Sequence, residues 1–225
     1  SEPFEVTSGV RQGCVLAPVL FNIYIHFVTR MMHQQVAEVA GIHVSYRTDR
    51  SVFDLRKLQA RTKTSLGHFC ELQYADDCAL VAHTVDGLQA LLRTIASLYE
   101  RFGLQINVQK TEVLQYFPDN PEAELHVFNV GDSALRNVPT FKYLGSFLSE
   151  DCKLDNEIQH RISQASSAFG RLRCRVFENH SLTLRTKVQV YHAVCLSTLL
   201  YGAEAWTMYR RHFRILEAWH IRCLQ

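Results

Sequence analysis

Apolar residues recur at Leu16, Val19, Leu20, Ile23, Tyr24, Phe27, Val28 and Met31, the spacing of one helix face. Pro18 falls in the first turn of that series, where a missing N–H costs nothing, so the pattern predicts a helix from about Pro18 to about Met31. A loop containing Gly9 and Gly13 feeds it. Residues 41–72 alternate weakly and fit one or two hairpins. Leu72-Gln73-Tyr74 and the run from Cys78 to Ala82 then flank Ala75-Asp76-Asp77, residues of turn character, which predicts a tight β-hairpin. Thr84 and Asp86 offer caps for a helix whose face is Leu88, Leu91, Leu92, Ile95, Tyr99 and Phe102, with Gly103 as its stop. Alternation at Leu104, Ile106 and Val108 predicts a strand, Val113 to Phe117 another, ended by the turn Pro118-Asp119-Asn120-Pro121, and further strands fall at 125–130 and 141–148.

The period changes at Asp151. Leu154, Ile158, Ile162, Ala165, Phe169 and Leu172 form one helical stripe, and Leu184, Val188, Tyr191 and Cys195 a second. Tyr201-Gly202-Ala203-Glu204-Ala205-Trp206 interrupts it before a last helical stretch. Strands that give way to helices near residue 150 predict an α+β chain in two parts, 1–149 and 150–225. Ser1-Glu2-Pro3 lacks an initiator Met and a leader pattern, and Gln225 follows no stop signal, so both ends read as interior to a longer chain.

Composition adds two points. At 47% hydrophobic residues the chain can bury a sizeable core, while no run of roughly eighteen apolar residues offers a membrane span. The net charge of +2 conceals an asymmetry: residues 151–225 carry eleven Lys/Arg against six Asp/Glu, and the rest thirteen against sixteen. A basic segment beside an acidic one suits a polyanion led towards carboxylates, with Arg171, Arg173 and Arg175 or Arg210, Arg211 and Arg214 as phosphate contacts; a solvated helix surface explains the charge equally well.

Chemistry concentrates at Asp76 and Asp77. Adjacent carboxylates on a hairpin tip can hold a divalent metal, and two Mg²⁺ about 3.5–4 Å apart stabilise both oxygens of an in-line phosphoryl displacement. A pair of aspartates in a turn is also, on its own, an ordinary solvated turn. His212, His220 and Cys223 have helical spacing without a partner pair and read as scattered core or surface residues. Cys14, Cys78 and Cys195 lie in apolar or loop settings, as small hydrophobes more than nucleophiles. Tyr143, Phe147 and Trp206 suit either base stacking or a core.

Tyr74-Ala75-Asp76-Asp77 between apolar strands, with Gly9-Val10-Arg11-Gln12-Gly13-Cys14 and Leu16-Ala17-Pro18 upstream, resembles reverse transcriptases of the non-LTR retrotransposon branch. Phe102 to Asn107 with Lys110-Thr111-Glu112 is similar to the family's fourth palm motif, and Phe141 to Ser146 to its primer grip, here Tyr143, Leu144 and Gly145. Ile158 to Phe169 and Tyr201 to Trp206 are similar to the helical region that trails the palm. The resemblance implies a palm of antiparallel strands backed by helices and followed by a helical thumb. It implies Asp76 as the principal metal ligand, Asp77 as its neighbour, and Tyr74 beside the primer terminus. Arg11, Gln12 and Gly13 would lie against template and incoming nucleotide, although Cys14-Val15 departs from the commoner residues there. Lys110 matches a lysine that protonates the leaving pyrophosphate, and a surface lysine after a strand is the other reading.

The family's first metal-binding aspartate stands on a strand ahead of the Gln-Gly loop, and only twelve residues precede Gly13. Phe53-Asp54 follows that loop and is rejected as a substitute. The implied function is RNA-directed DNA synthesis with Mg²⁺, deoxynucleoside triphosphates, an RNA template and a DNA primer, with the 225 residues inactive in isolation and binding metal weakly. The other reading is a catalytically dead retroelement remnant that keeps nucleic-acid binding at most. Resemblance alone suggests the nucleus or cytoplasm. Two structural expectations follow: Asp76 and Asp77 share one hairpin tip, and the helix at 18–31 packs under that hairpin with Leu20, Ile23 and Phe27 covered.

Overall fold

The computed structural model describes residues 9, 13–36, 40–49, 55–60, 62–117 and 124–224. In chain order the elements are α1 (Ala17–Gln35), β1 (Ile42–Arg47), α2 (Leu55–Leu58), β2 (Thr64–Phe69), β3 (Glu71–Tyr74), β4 (Asp77–Leu80) and α3 (Val85–Arg101). Five short strands follow: β5 (Glu112–Val113), β6 (Asn129–Val130), β7 (Ser133–Ala134), β8 (Arg136–Asn137) and β9 (Thr140–Tyr143). Then come β10 (Ser146–Ser149), α4 (Asp155–Leu172), α5 (Leu184–Val190), α6 (Ser197–Leu199) and α7 (Arg210–Leu224). Mixed helices and strands make the chain α+β, and β1–β2, β3–β4, β6–β7 and β9–β10 are antiparallel pairs. The chain divides into two compact units, residues 1–111 with 126–136, and residues 112–125 with 137–225.

In the first unit α3 is the organising helix. Thr84 Oγ1 accepts the Gly87 N–H at 3.1 Å, the side-chain cap expected of threonine in that position. Gly103, at φ +71°, ends the helix, and the Leu104 N–H turns back to the Tyr99 carbonyl at 2.7 Å. Its apolar face supplies Leu91, Ile95 and Leu98 to a core shared with Val28 and Met32 of α1, with Ala40, and with Cys70 at the mouth of the β3–β4 hairpin. Cys78 and Leu80 of that hairpin pack against the same core, so the tip of the hairpin is carried on α1 and α3. Gln89 fixes the β6–β7 hairpin on α3 by imitating a strand: its Nε2 donates to the Asn129 carbonyl at 2.9 Å and its Oε1 accepts the Asn129 N–H at 3.0 Å.

The face of α1 differs from expectation. The helix begins at Ala17 beside Pro18 and continues one turn past Met31, but it buries Ala17, Ile25, Val28 and Met32. Leu20, Ile23 and Phe27 stay 53%, 63% and 54% exposed. Eight apolar positions wrap wider than the face one partner helix covers, so periodicity marked the helix without selecting its buried side. Tyr24 and Phe27 find partial cover against the edge of the Phe102 ring, at centroid distances of 6.1 and 5.8 Å.

Three strand expectations also change. Residues 104–108 form no strand; the segment runs into a turn closed by Asn107, whose carbonyl accepts from Lys110 and Thr111 N–H at 3.0 Å each and whose Oδ1 accepts from Lys110 N–H at 3.2 Å. The strands at 113–117 and 125–130 contract to β5 and β6. Pro118 to Pro121 lie outside the described residues. The hairpin expected within 41–72 is present, β1 pairing with β2 from Ile42 opposite Phe69 to Arg47 opposite Thr64.

The second unit is built round α4. Ile158 and Ala165 meet Tyr191, Cys195, Leu199, Leu216 and Trp219 from the following helices. Between α5 and α6 the helix widens into a π stretch at Tyr191–Leu196, which brings Tyr191, Cys195 and Leu199 onto one buried line while Leu184 and Val188 remain exposed. Buried polar atoms are matched: Tyr191 Oη lies 2.8 Å from His220 Nδ1, and Trp219 Nε1 donates to Ser166 Oγ at 2.8 Å. His212, wholly buried, accepts the Tyr209 N–H at Nδ1, while its Nε2 lies 3.3 Å from Asp155 Oδ1.

This packing predicts that Leu91→Ala lowers stability by about 2–5 kcal/mol, whereas Ile23→Ser changes it by no more than about 0.5 kcal/mol. Urea denaturation followed by circular dichroism measures both. A loss at Ile23 equal to that at Leu91 would contradict the buried face assigned to α1.

Candidate functional site

Register places Tyr74 opposite Asp77, which leaves Ala75 and Asp76 as a two-residue turn. Such turns need a positive φ at a central position to match the twist of the strands. Ala75 supplies it at φ +51°, in a region unfavourable for a residue with a Cβ. Gln73 braces it, its Nε2 donating to the Ala75 carbonyl at 2.7 Å. Asp76 and Asp77 therefore stand next to each other at the tip and its first ladder position, as expected. Both are exposed, and neither carboxylate forms a hydrogen bond or ion pair with another described residue. Tyr74 is exposed beside them.

Below the tip, the hairpin becomes a region where charge is costly. Burial pushes the Glu71 carboxyl up, and His33, with Nε2 3.4 Å from Oε1, opposes that shift. Burial raises the Cys78 thiol to about 12, with the Glu71 charge adding to the effect. Burial likewise lifts the Tyr99 hydroxyl well above its ordinary value, with Cys78 next in influence. The hairpin thus has two open carboxylates on a base that resists ionisation. Cys78 and Cys195 behave as the small hydrophobes expected, half-buried and buried, whereas Cys14 is exposed.

Other candidates fall as follows. Gly13 is exposed at φ +85°, a backbone geometry that favours glycine, and a Cβ there would meet nothing within 4 Å. Arg11, Gln12 and Phe53-Asp54 lie outside the described residues. Lys110 is exposed on the Asn107 turn of the first unit. Tyr143, Leu144 and Gly145 belong to the second unit, where Leu144 and Gly145 form the turn of the β9–β10 hairpin. Phe147 meets the His160 ring edge-on at 4.8 Å, and Trp206 packs against the helical core. Of the arginines proposed for phosphates, Arg173 is paired with Glu178 at 2.7 Å and Arg211 with Asp155 at 2.6 Å. No helix among the described residues is long and apolar enough to cross a membrane, and no described group of three or more His, Cys, Asp or Glu has metal-binding proximity.

Sequence reasoning did not single out Glu157 and Arg161. They are 2% and 6% exposed and bonded to each other, Arg161 Nε to Glu157 Oε1 at 2.6 Å. Their signal was present, opposite charges four apart within an apolar helical stripe, but that pattern usually marks a solvated face. Tyr201, noted as part of a helix break and of the helical region trailing the palm, joins them at the β9–β10 turn.

Residues 1–148 match the reverse transcriptase (RNA-dependent DNA polymerase) family, and the chain belongs to it. Relatives narrow the class. The Pol polyprotein of the type-1 retrotransposable element R2 of Nasonia vitripennis is 30% identical over 145 residues, 61% of this chain and 12% of the relative. The Pol polyprotein of the type-2 retrotransposable element R2DM of Drosophila melanogaster is 26% identical over 215 residues, 90% of this chain and 18% of the relative. The RNA-directed DNA polymerase from the mobile element jockey of Drosophila melanogaster is 22% identical over 227 residues, 96% of this chain and 22% of the relative. The chain is a reverse transcriptase sequence of the non-LTR retrotransposon type, and it spans less than a quarter of the length of these three relatives.

With its pKa near 12, the Cys78 thiol ionises in about one molecule in 10⁴ at pH 8. Iodoacetamide at that pH should therefore modify exposed Cys14, Cys152 and Cys174 at least about a hundredfold faster than Cys78. Peptide mass mapping over time checks this, and equal rates would mean the hairpin base is open to water.

Proposed function

We propose that this chain is part of an RNA-directed DNA polymerase that adds deoxynucleotides to a DNA primer on an RNA template. In this reading residues 1–149 are a partial palm without its first catalytic strand, and 150–225 a thumb-like helical region. The observation that supports it best is the pair Asp76 and Asp77, exposed and adjacent, with carboxylates unengaged by other described residues, on a braced hairpin in a chain of this family.

Carboxylate oxygens are the donors a hard divalent cation prefers, and Mg²⁺ takes only one or two of them while keeping waters. Asp76 and Asp77 fit that requirement in type and accessibility and would hold the ion. When bound, Mg²⁺ supplies charge stabilisation for the attacking and leaving oxygens. The chain's own residues do the rest. Ala75, braced by Gln73, sets the direction in which the two carboxylates leave the hairpin. Tyr74 presents an exposed ring beside the primer terminus. Gly13, with no side chain, leaves the template and nucleotide free to approach the loop that Arg11 and Gln12 share. Lys110 is the candidate acid for the leaving pyrophosphate, and Tyr143, Leu144 and Gly145 hold the primer strand. Action in the nucleus or cytoplasm belongs to the same reading.

Two-metal transfer draws carboxylates from two strands, so the 225 residues alone should extend no primer. The same chain joined to the upstream catalytic strand of its element should extend one with Mg²⁺, and Asp76→Ala should lower that rate by at least about a hundredfold. A primer-extension assay compares the three. Robust synthesis by the short chain, or by the Asp76→Ala variant, would overturn this assignment.

A further inference from the structure

The β9–β10 turn is held more tightly than a surface hairpin needs. Register sets Tyr143 opposite Ser146, so Leu144 and Gly145 are its two central residues, both at positive φ, +48° and +85°. That is the turn whose twist suits a two-residue hairpin, but leucine is a poor occupant of its first position. Such a conformation persists only where neighbouring groups over-determine it. Three side chains do so here. Glu157 Oε2 accepts the Phe147 N–H at 2.8 Å. Arg161 Nη2 donates to the Gly145 carbonyl, and also to Ser146 Oγ at 3.3 Å. Tyr201 Oη donates to the Leu144 carbonyl at 3.0 Å, and its ring carries the Arg161 guanidinium 4.6 Å from the centroid.

Backbone shape permits the close seating. A Cβ on Gly202, itself at φ +76°, would come within 3.1 Å of Ser146 Oγ. The Tyr201-Gly202 dipeptide and the Leu144-Gly145 turn, two separate sequence motifs, are thus one contact. A buried ion pair is an inefficient way to add stability, since its desolvation offsets much of its attraction. What the Glu157–Arg161 pair does achieve is direction: a planar guanidinium fixed on one side by a carboxylate presents its remaining donors at one place.

We propose that Glu157, Arg161 and Tyr201 are positioning residues for the primer terminus, acting through the backbone of Leu144 and Gly145. This rests on the reading of the β9–β10 hairpin as the one that holds the primer. None of the three touches nucleic acid in this account; they set where the turn stands, and so where a recessed 3′ end sits.

The test uses the 225-residue chain with two probes, an RNA template carrying a recessed DNA primer and a blunt duplex of equal length. Amide exchange by mass spectrometry reads the turn, and fluorescence anisotropy reads affinity for both probes. The wild type should prefer the recessed end at least about fivefold, and Gly145→Val should abolish the preference. Arg161→Ala should speed exchange across residues 144–147 about tenfold, with Arg161→Lys intermediate because it keeps the charge and loses the fork. Should Arg161→Ala fail to fold, Tyr201→Phe, which removes one exposed hydroxyl, should still speed exchange and bring the preference towards one while leaving blunt-end affinity unchanged. Exchange unaltered in both Tyr201→Phe and Arg161→Lys would overturn the proposal. It is overturned equally if these variants keep the end preference that Gly145→Val loses. If the wild type shows no end preference, the reading of the hairpin itself fails, and the proposal with it.

Discussion

Among the described residues, the β3–β4 and β9–β10 tips each hold a residue other than glycine at positive φ, and side chains brace each of them there. At Ala75 the brace is local, a glutamine two residues back. At Leu144 it is distant, an arginine from α4 and a tyrosine beyond α6. A strained turn relaxes unless its surroundings fix it. The local brace leaves Asp76 and Asp77 standing clear, and the distant one consumes a buried ion pair. In both cases a strained turn carries the residues proposed to meet the metal or the primer.

The acidic residues divide along the same line. Glu157 is buried and fully engaged, accepting from Arg161 and from the Phe147 amide. Glu71 sits at the base of the hairpin, where burial disfavours its charge. Asp76 and Asp77 alone on that hairpin are exposed carboxylates, a few residues from Glu71 along the same ladder. A cation entering from solvent meets them first, without the cost of displacing an existing partner. The raised thiol of Cys78 and hydroxyl of Tyr99 belong to the same gradient, from a wet tip to a base that resists charge.

How much of this was readable from the residues depends on the range of the interactions. The tip of β3–β4 was, because a turn between apolar runs is a local signal, and so was α3, whose threonine cap and glycine stop bracket a clean stripe. The helix α1 was readable as a helix but not by face, since an apolar surface wider than one partner leaves the choice to packing. The strand expected at 104–108 is absent and the segment leads into the Asn107 turn, since alternation over so few residues does not supply a partner strand. The clamp on Leu144 and Gly145 lay beyond reach. Its partners are 16 and 57 residues away in sequence, and an i,i+4 charge pair gives no hint that it is buried.

The central claim is that the ion required for nucleotide transfer is held by the Asp76-Asp77 tip. Iron-directed cleavage tests it most directly. In the chain joined to its element's upstream catalytic strand and bound to primer and template, Fe²⁺ substituted for Mg²⁺ reduces added hydrogen peroxide to hydroxyl radicals, with ascorbate recycling the iron, and these cut the backbone nearest the ion. The expected cut falls between Tyr74 and Cys78, disappears in Asp76→Asn and is suppressed by excess Mg²⁺. Cleavage confined to other segments, or a cut at the tip that persists unchanged in the variant, would contradict it.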